Sequence, residues 1–422
     1  MPLCLAAVAL AAQLVHEQSA AGVVHQERFR ASAGAYGVLQ ITVEDSANLP
    51  PSAALNVLVD GRPEHVIVLT PGAGRTDYST LLGPLGDGDH TVALTRSPLW
   101  PTAPPIRIAS ISVESIAASD PRAAVLAHAP VLGVRADTVG TSSDLPLLMY
   151  VEDERTNGDG WLRYSVVFSN EDGGTPAVAL MARWGRTTDI ELIYEVELRS
   201  GRVTQARYQG PDHHMLTPSS LGALPPTFTV VTLNNMVTDR GASAASVRLV
   251  PEVVTLTGRS RESVMDERPW VYRVMARELL AERPPAVSDA REFVYVDVRL
   301  ETTGTAVAIG ARNADGITRW SDRGRSDLAV SRTGEARIAV PADAGDSIVA
   351  LVVRCDPRGG QPAAADRDDA RCAVHVRQAL RLLNDYAPGP RTAIDRTMTL
   401  NPGVSGDLPI AIPPASPSKM NP

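Results

Sequence analysis

Two of the eight histidines, His213 and His214, are adjacent. They close the stretch EDGGTPAVALMARWGRTTDIELIYEVELRSGRVTQARYQGPDHH, which opens at Glu171. The same stretch carries acids at Asp172, Asp189 and Glu191. Carboxylates and imidazole converging on one place suit a divalent cation. Oxygen-rich sets favour Ca²⁺, Mg²⁺ or Mn²⁺, and imidazole admits Zn²⁺ or Mn²⁺. The same groups can act as general acid and base with no metal. Arg183 and Arg186 stand close in sequence and could instead pair with these acids as a structural network. Asn234 and Asn235 have loop-holding as their ordinary role and lining such a site as the alternative.

Local elements must bring these groups together. In TDIELIYEVEL, the positions Ile190, Leu192, Tyr194, Val196 and Leu198 are apolar. Asp189, Glu191, Glu195 and Glu197 alternate with them, Ile193 excepted. Period two predicts one strand with a core face and an acidic face. Glu195 and Glu197 are expected on that face as solvated carboxylates. Ser200-Gly201 suits a two-residue hairpin turn. That register pairs Arg199 with Arg202, sets Glu191 opposite Gly210 and Asp189 opposite Asp212, and delivers His213 and His214 beside the two acids. Upstream, Thr175 is an N-cap candidate, Pro176 fits the first helical position and Gly185 a C-terminal stop, so a short helix is expected. Its short rise keeps Glu171 and Asp172 within range as further members.

Composition narrows the class. The chain has 422 residues, 44% hydrophobic but only 4% aromatic, so its cores rest on Val, Leu, Ile and Ala. Net charge is −8, and no basic block with interleaved aromatics occurs, so nucleic acid is not an expected partner. Lys419 is the single lysine; arginine carries the positive charge. The start, MPLCLAAVALAAQLVHEQSAAG, has an apolar run too short to span a bilayer, then Ser19 and Ala21 ahead of Gly22. It reads as a secretory signal peptide without the usual basic residue in front. No later apolar run is long enough for a transmembrane segment. Cys4 would leave with the signal. Cys355 and Cys372 remain and flank a polar Gly/Pro/Asp loop, where a disulfide is expected.

No G-x-S-x-G, H-E-x-x-H, phosphate-binding loop or dinucleotide glycine fingerprint is present. GRTTDIELIYEV, a strand, and YQGPDHH together resemble the G-D-W-E, strand, strand, S-x-H core of vacuolar protein sorting-associated-type domains of fungi and bacteria. HAPVLGVRADTVGTSSDLPLLMYVE is similar to the opening of those domains. The likeness extends more distantly to the G-H-R-H-D-W-E heptapeptide of secreted necrosis-inducing cytolysins. It implies a jelly-roll-like sandwich with Asp189 and Glu191 at the acidic positions and His213 or His214 at the later histidine. In the cytolysins those positions bind a divalent cation used in recognising a membrane glycolipid. Ile190 stands in place of the tryptophan, and Arg186 and Thr188 in place of histidines.

The expected architecture is mainly β with few short helices. A signal peptide covers 1–21, an N-terminal β-sandwich module 22–117, and a central jelly-roll-like domain with the candidate site 118–286. A C-terminal β region with Cys355–Cys372 covers 287–386, and a Pro-rich, disordered tail 387–422. The expected function is a secreted or cell-envelope protein that recognises an extracellular glycan or glycolipid, with help from a divalent cation. The alternatives are a metal-dependent or acid/base hydrolase of extracellular polymers and a structural envelope protein.

Overall fold

A computed structural model describes residues 22–44, 53–70, 74–100, 106–141, 143–171, 173–281, 287–358 and 370–414. The expected signal peptide and Asp172 lie outside the described residues. The chain is mainly β. It divides into two compact units, one of residues up to 168 with 191–253, the other of residues 169–190 with 254–422. The boundary expected after 286 differs from this division. The quoted stretch is itself divided, with Asp189 in the second unit and Glu191 in the first.

The first unit opens with strands β1 (Val23–Ala31), β2 (Tyr36–Glu44), β3 (Ala53–Val59), β4 (Arg62–Leu69), β5 (Thr76–Pro84), β6 (Gly88–Arg96) and β7 (Arg107–Ile116). One sheet runs β1-β6-β3-β4 and the other β5-β2-β7. Alternation in β2 explains the packing. Leu39, Ile41 and Val43 enter the core shared by these sheets. Val38, on the other face, joins a second core with Leu132 and Met149. Asp60-Gly61 turns β3 into β4, with φ of 50° and 75°, the paired positive values a tight hairpin needs.

The second core belongs to helix α1 (Ala123–Ala127) and strands β8 (Val131–Val134), β9 (Pro146–Asp153), β10 (Gly160–Phe168), β11 (Asp189–Arg199), β12 (Arg202–Gln209), β13 (Met215–Leu216), β14 (Thr227–Val230), β15 (Val237–Thr238), β16 (Ala245–Val247) and β17 (Pro251–Val254). One sheet has the order β13-β12-β11-β10-β9-β17, the other β15-β14-β8-β16. Tyr164, Tyr194, Tyr208 and Phe228 stack between them, ring centroids 5.1–6.1 Å apart. Few aromatics are available, and this core concentrates them.

The second unit contains α2 (Ala177–Trp184), α3 (Pro269–Ala281) and strands β18 (Phe293–Thr303), β19 (Thr305–Asn313), β20 (Thr318–Trp320), β21 (Gly334–Pro341), β22 (Ile348–Pro357), β23 (Arg371–Arg381), β24 (Thr392–Leu400) and β25 (Ser405–Ile412). Sheets β21-β18-β23-β24 and β20-β19-β22-β25 close over one aliphatic core. The tail expected to be disordered thus supplies two strands. Leu400, Leu408 and Ile412 are buried in this core, and that burial holds a stretch whose Pro and Gly content suggested otherwise. Cys355 and Cys372 form the expected disulfide, which links β22 in one sheet to β23 in the other.

Two predictions follow from these contacts. In the chain-entropy description a bridge closing this loop stabilises by about 3 kcal/mol. Replacing both Cys355 and Cys372 with alanine is therefore expected to lower guanidinium-unfolding stability by about that amount. A loss below about 1 kcal/mol would show that the core alone holds the sheets together.

The other prediction concerns His65, which is buried. Its Nε2 lies 2.6 Å from Oγ1 of Thr80, and that hydroxyl donates to the Arg248 carbonyl at 2.6 Å. Nε2 must then carry the ring proton. Nδ1 is buried with no hydrogen-bond partner. Burial, aided by the Arg248 charge, pushes His65 from 6.5 down to about 3. Between those values the unfolded chain binds a proton that the folded chain refuses. The neutral ring's contribution is full above about pH 6.5 and is lost as pH falls toward 3. At about 1.4 kcal/mol per unit, wild type should lose about 2 kcal/mol more than His65→Gln between pH 7.5 and 5 in urea unfolding. Parallel losses would mean that His65 is protonated in the fold.

Candidate functional site

The expected grouping is distributed as follows. In the first unit, β11 and β12 pair as Arg199 with Arg202 and Leu198 with Val203. A bulge then intervenes, so Glu197 faces Gln205 and Tyr194 faces Tyr208, where the ladder ends. The expected pairing of Glu191 with Gly210 does not form. The chain turns away after Gln209, and β13 pairs with the other side of β12 through Gln209–Met215 and Tyr208–Leu216. His213 and His214 occupy that turn and are exposed. Asp212 and His213 both take positive φ, 64° and 61°. The His213 ring lies 2.8 Å from the Gln209 amide at Nδ1 and 3.2 Å from the Asn234 amide at Nε2. Both ring nitrogens are therefore occupied, and the imidazole ties β12 to the Asn234 loop. Asn235 is buried in that loop with φ 53°, in keeping with a loop-holding role.

Glu195 and Glu197 correct a further expectation. Both are buried rather than solvated. β11 is an interior strand, and side chains of its neighbours cover the acidic face. Glu195 pairs with Arg207 at 2.5 Å and Arg163 at 3.2 Å. Glu197 accepts from Thr204 and Arg199, and these bonds hold its carboxyl below the usual range.

The remaining residues belong to the second unit. Arg186 and Asp189 are buried, with Nη1 of Arg186 3.8 Å from the carboxylate. Asp189 also accepts from the Ile190 amide at 2.8 Å. Burial and then the Asp189 charge push the Glu171 carboxyl upward. Glu262, unforeseen in the sequence, lies fully buried at the centre. Arg332, Arg261 and Arg186 stand 3.5, 3.7 and 3.9 Å from it. Burial alone would raise its carboxyl, but Arg332, Arg261 and Arg186 outweigh that and hold it ionised. Among the described residues, no group of three or more His, Cys, Asp or Glu could hold a metal ion.

Arg332 also lines a cleft of about 420 Å³. Helix α2 delivers two other walls, Arg183 and Trp184 from its last turn. Ala179 and Ala182 fix the helix against Leu328. Gly185 ends it in the left-handed region at φ 63°, its amide donating to the Met181 carbonyl at 3.0 Å. The half-buried Trp184 ring has the guanidinium carbons of Arg183 and Arg332 each 6.0 Å from its centroid. Ser326, Ser331 and Arg358 complete the polar rim, with Ala306 and Ala329 as apolar lining. An aromatic face ringed by fixed cations and hydroxyls suits a ligand with one apolar face and a polar edge. The sequence reading placed Arg183 near a site but passed over Trp184. The available signal was a tryptophan on the last turn of a capped helix, in a chain poor in aromatics.

Gly185 is required twice. Any side chain there meets the left-handed penalty of about 1–2 kcal/mol, and an added Cβ would stand 2.7 Å from Cγ of Arg337. Gly185→Ala should therefore reduce stability by at least about 1 kcal/mol in urea unfolding and shift Trp184 emission. Unchanged stability and emission would show that the cap neither limits the helix nor positions the indole.

No family model and no curated protein matches the chain. Among solved structures it is similar to the C-terminal domain of EclA, a sugar-binding protein. That likeness is 11% identical, covers 22% of this chain and 67% of that one, and has a TM-score of 0.18. It is also similar to a Paenibacillus sp. cycloisomaltooligosaccharide glucanotransferase solved with cycloisomaltoheptaose. That likeness is 12% identical over 89% of this chain and 39% of the other, with a TM-score of 0.15. Both are too slight to carry an argument about function.

Proposed function

We propose that this is an extracytoplasmic binding protein that recognises a glycan in the Trp184 cleft of its second unit. The observation that carries the reading is the half-buried indole, with the guanidinium carbons of Arg183 and Arg332 each 6.0 Å from its centroid, on the wall of a cleft of about 420 Å³. A pyranose has a face of C–H groups and an edge of hydroxyls. The first stacks on an indole, and the second bonds to guanidinium and serine groups. Helix α2 and the strands behind it are held by packed side chains, so the site is formed before ligand arrives. The Cys355–Cys372 disulfide favours an oxidising compartment.

A hydrolase is the second reading. It draws on Glu171, whose raised carboxyl beside Asp189 is the environment of a general acid. Glu171 does not line the cleft, and this places binding first.

The test is a screen of the purified chain on immobilised oligosaccharides with Trp184→Ala beside it, with and without EDTA. Reducing ends are measured in the same incubations. Wild type should bind at least one saccharide class, and losing the stack should weaken it by roughly tenfold or more. EDTA should leave binding unchanged, because recognition runs through arginine and tryptophan. Equal binding by wild type and Trp184→Ala would sink this reading. Release of reducing ends, abolished in Glu171→Gln, would favour the hydrolase.

A further inference from the structure

The charge on the cleft walls is unbalanced. Arg183, Arg332 and Arg358 line it, with Asp327 as the acidic residue among the lining groups. Asp327 is already engaged, since Arg325 donates to both its oxygens at 3.2 and 2.7 Å. Arg183 donates to the Asp327 backbone carbonyl at 2.5 Å and lies over the Trp184 ring. Among the described residues, no ion pair is made by Arg183 or Arg358. Arg332 has a carboxylate partner in Glu262, but Arg186 and Arg261 share that one group. Asp189 stands 3.8 Å from Arg186 as a further anion of that cluster, so the positive potential left on the side that opens to the cleft comes from Arg183 and Arg358.

Two features thus coincide at one wall: an aromatic platform and a surplus of guanidinium groups. The first selects a ring with an apolar face. The second selects a planar or tetrahedral oxyanion, which arginine binds through paired N–H donors. A neutral sugar would use only the first.

We infer that the ligand is an anionic saccharide, a pyranose bearing a carboxylate or a sulfate ester, with its ring on Trp184 and its anionic group between Arg332 and the Arg183 and Arg358 side chains. The inference rests on the glycan reading and narrows it. The negative net charge of the chain, −8, would otherwise disfavour such a ligand, so attraction must be local to this wall.

The experiment is titration calorimetry of the full chain at low salt. The probes are oligogalacturonate, a sulfated galactan oligomer, neutral gluco- and galacto-oligosaccharides of matched length, and polyglutamate. Arg183→Gln and Arg358→Gln are compared with wild type, because neither touches the buried Glu262 cluster. Thermal unfolding confirms that each variant is folded. The expected result is binding of a uronate or sulfated oligomer at least roughly tenfold tighter than any neutral one. It should weaken by roughly tenfold in the variants and fall as salt rises. The uronate and sulfate arms distinguish the two anion types. Neutral oligosaccharides binding as well as the anionic ones, with no loss in the variants, would overturn the inference and leave the glycan reading intact. Polyglutamate binding as tightly as the anionic saccharides would overturn both, as would binding of none of the probes.

Discussion

The second unit depends on one buried cation. Arg337 is fully buried, and removing a guanidinium from water costs several kcal/mol unless every donor is met. Here all are met. Nε and Nη2 donate to Asp297 at 2.7 and 2.9 Å, and Nη1 and Nη2 to Asp266 at 2.6 and 2.9 Å. Nη1 also reaches the Tyr272 hydroxyl at 2.8 Å, and that hydroxyl donates to Asp266 at 2.7 Å. Burial would lower the guanidinium pKa, but Tyr272, Asp297 and Asp266 outweigh it and keep the charge. The partners come from different elements. Asp297 is the cross-strand neighbour of Arg337 on β18, Tyr272 lies on α3, and Asp266 sits in the turn just before that helix. Gly185, the cap of α2, packs against the Arg337 stem. One ionic centre thus fixes where both helices sit on the outer face of the sheet, and so where Trp184 is presented.

Alternation in β18 makes this arrangement possible. Val294, Val296, Val298 and Leu300 point into the aliphatic core, while Tyr295 and Asp297 point to the other face. That outer face would be solvated in a simple sandwich. Covering it with α3 turns it into a second buried layer, where Tyr272, Tyr295 and Phe293 stack with centroids 5.9 and 6.4 Å apart. Polar groups in such a layer must be paired, because an unpaired one is more costly there than in water. The near-exclusive use of arginine follows the same logic. A planar guanidinium can pair bidentately with each of two carboxylates through five fixed donors, and an ammonium has only three and no planar fork. Glu262, with Arg332, Arg261 and Arg186 around it and Asp189 beside Arg186, is a second buried ionic cluster of this unit.

Much of the local structure was legible. The helix at 177–184 ends at Gly185 as expected, but it begins one residue late, with Pro176 and not Thr175 at the N-cap position and no side-chain cap bond. Period-two runs marked β2, β3, β18 and β22, because one face of each must be apolar whatever the neighbours are. The cysteine pair was readable from its even number and from the polar Gly/Pro/Asp composition of the stretch between the two thiols. β23, β24 and β25 were not, since arginine, proline and aspartate interrupt their apolar periodicity and their burial comes from partners distant in the chain. The hairpin after β11 was read in ideal register. One bulged residue near Thr204 shifted it by a position, and the departure of β13 to the far side of β12 moved His213 into an exposed turn. A bulge has no reliable local signature, since it is decided by what the strands pack against.

By itself the sequence determined the class of the protein: strand-forming residues in alternation, a few capped helices, arginine in place of lysine, and thiols suited to one bridge. Those are properties of neighbours along the chain, where sterics and periodicity act directly. Only the tertiary structure decided which charged residues are paired in the interior and which stay at the surface. Asp189, Glu195 and Glu197 read alike as members of an acidic face, yet each is buried with basic or backbone partners. Glu262 and Arg337 gave no signal, yet they organise the unit. The reason is physical. The fate of a charge depends on the dielectric around it and on the partner a few ångströms away, and both are set by residues tens or hundreds of positions distant.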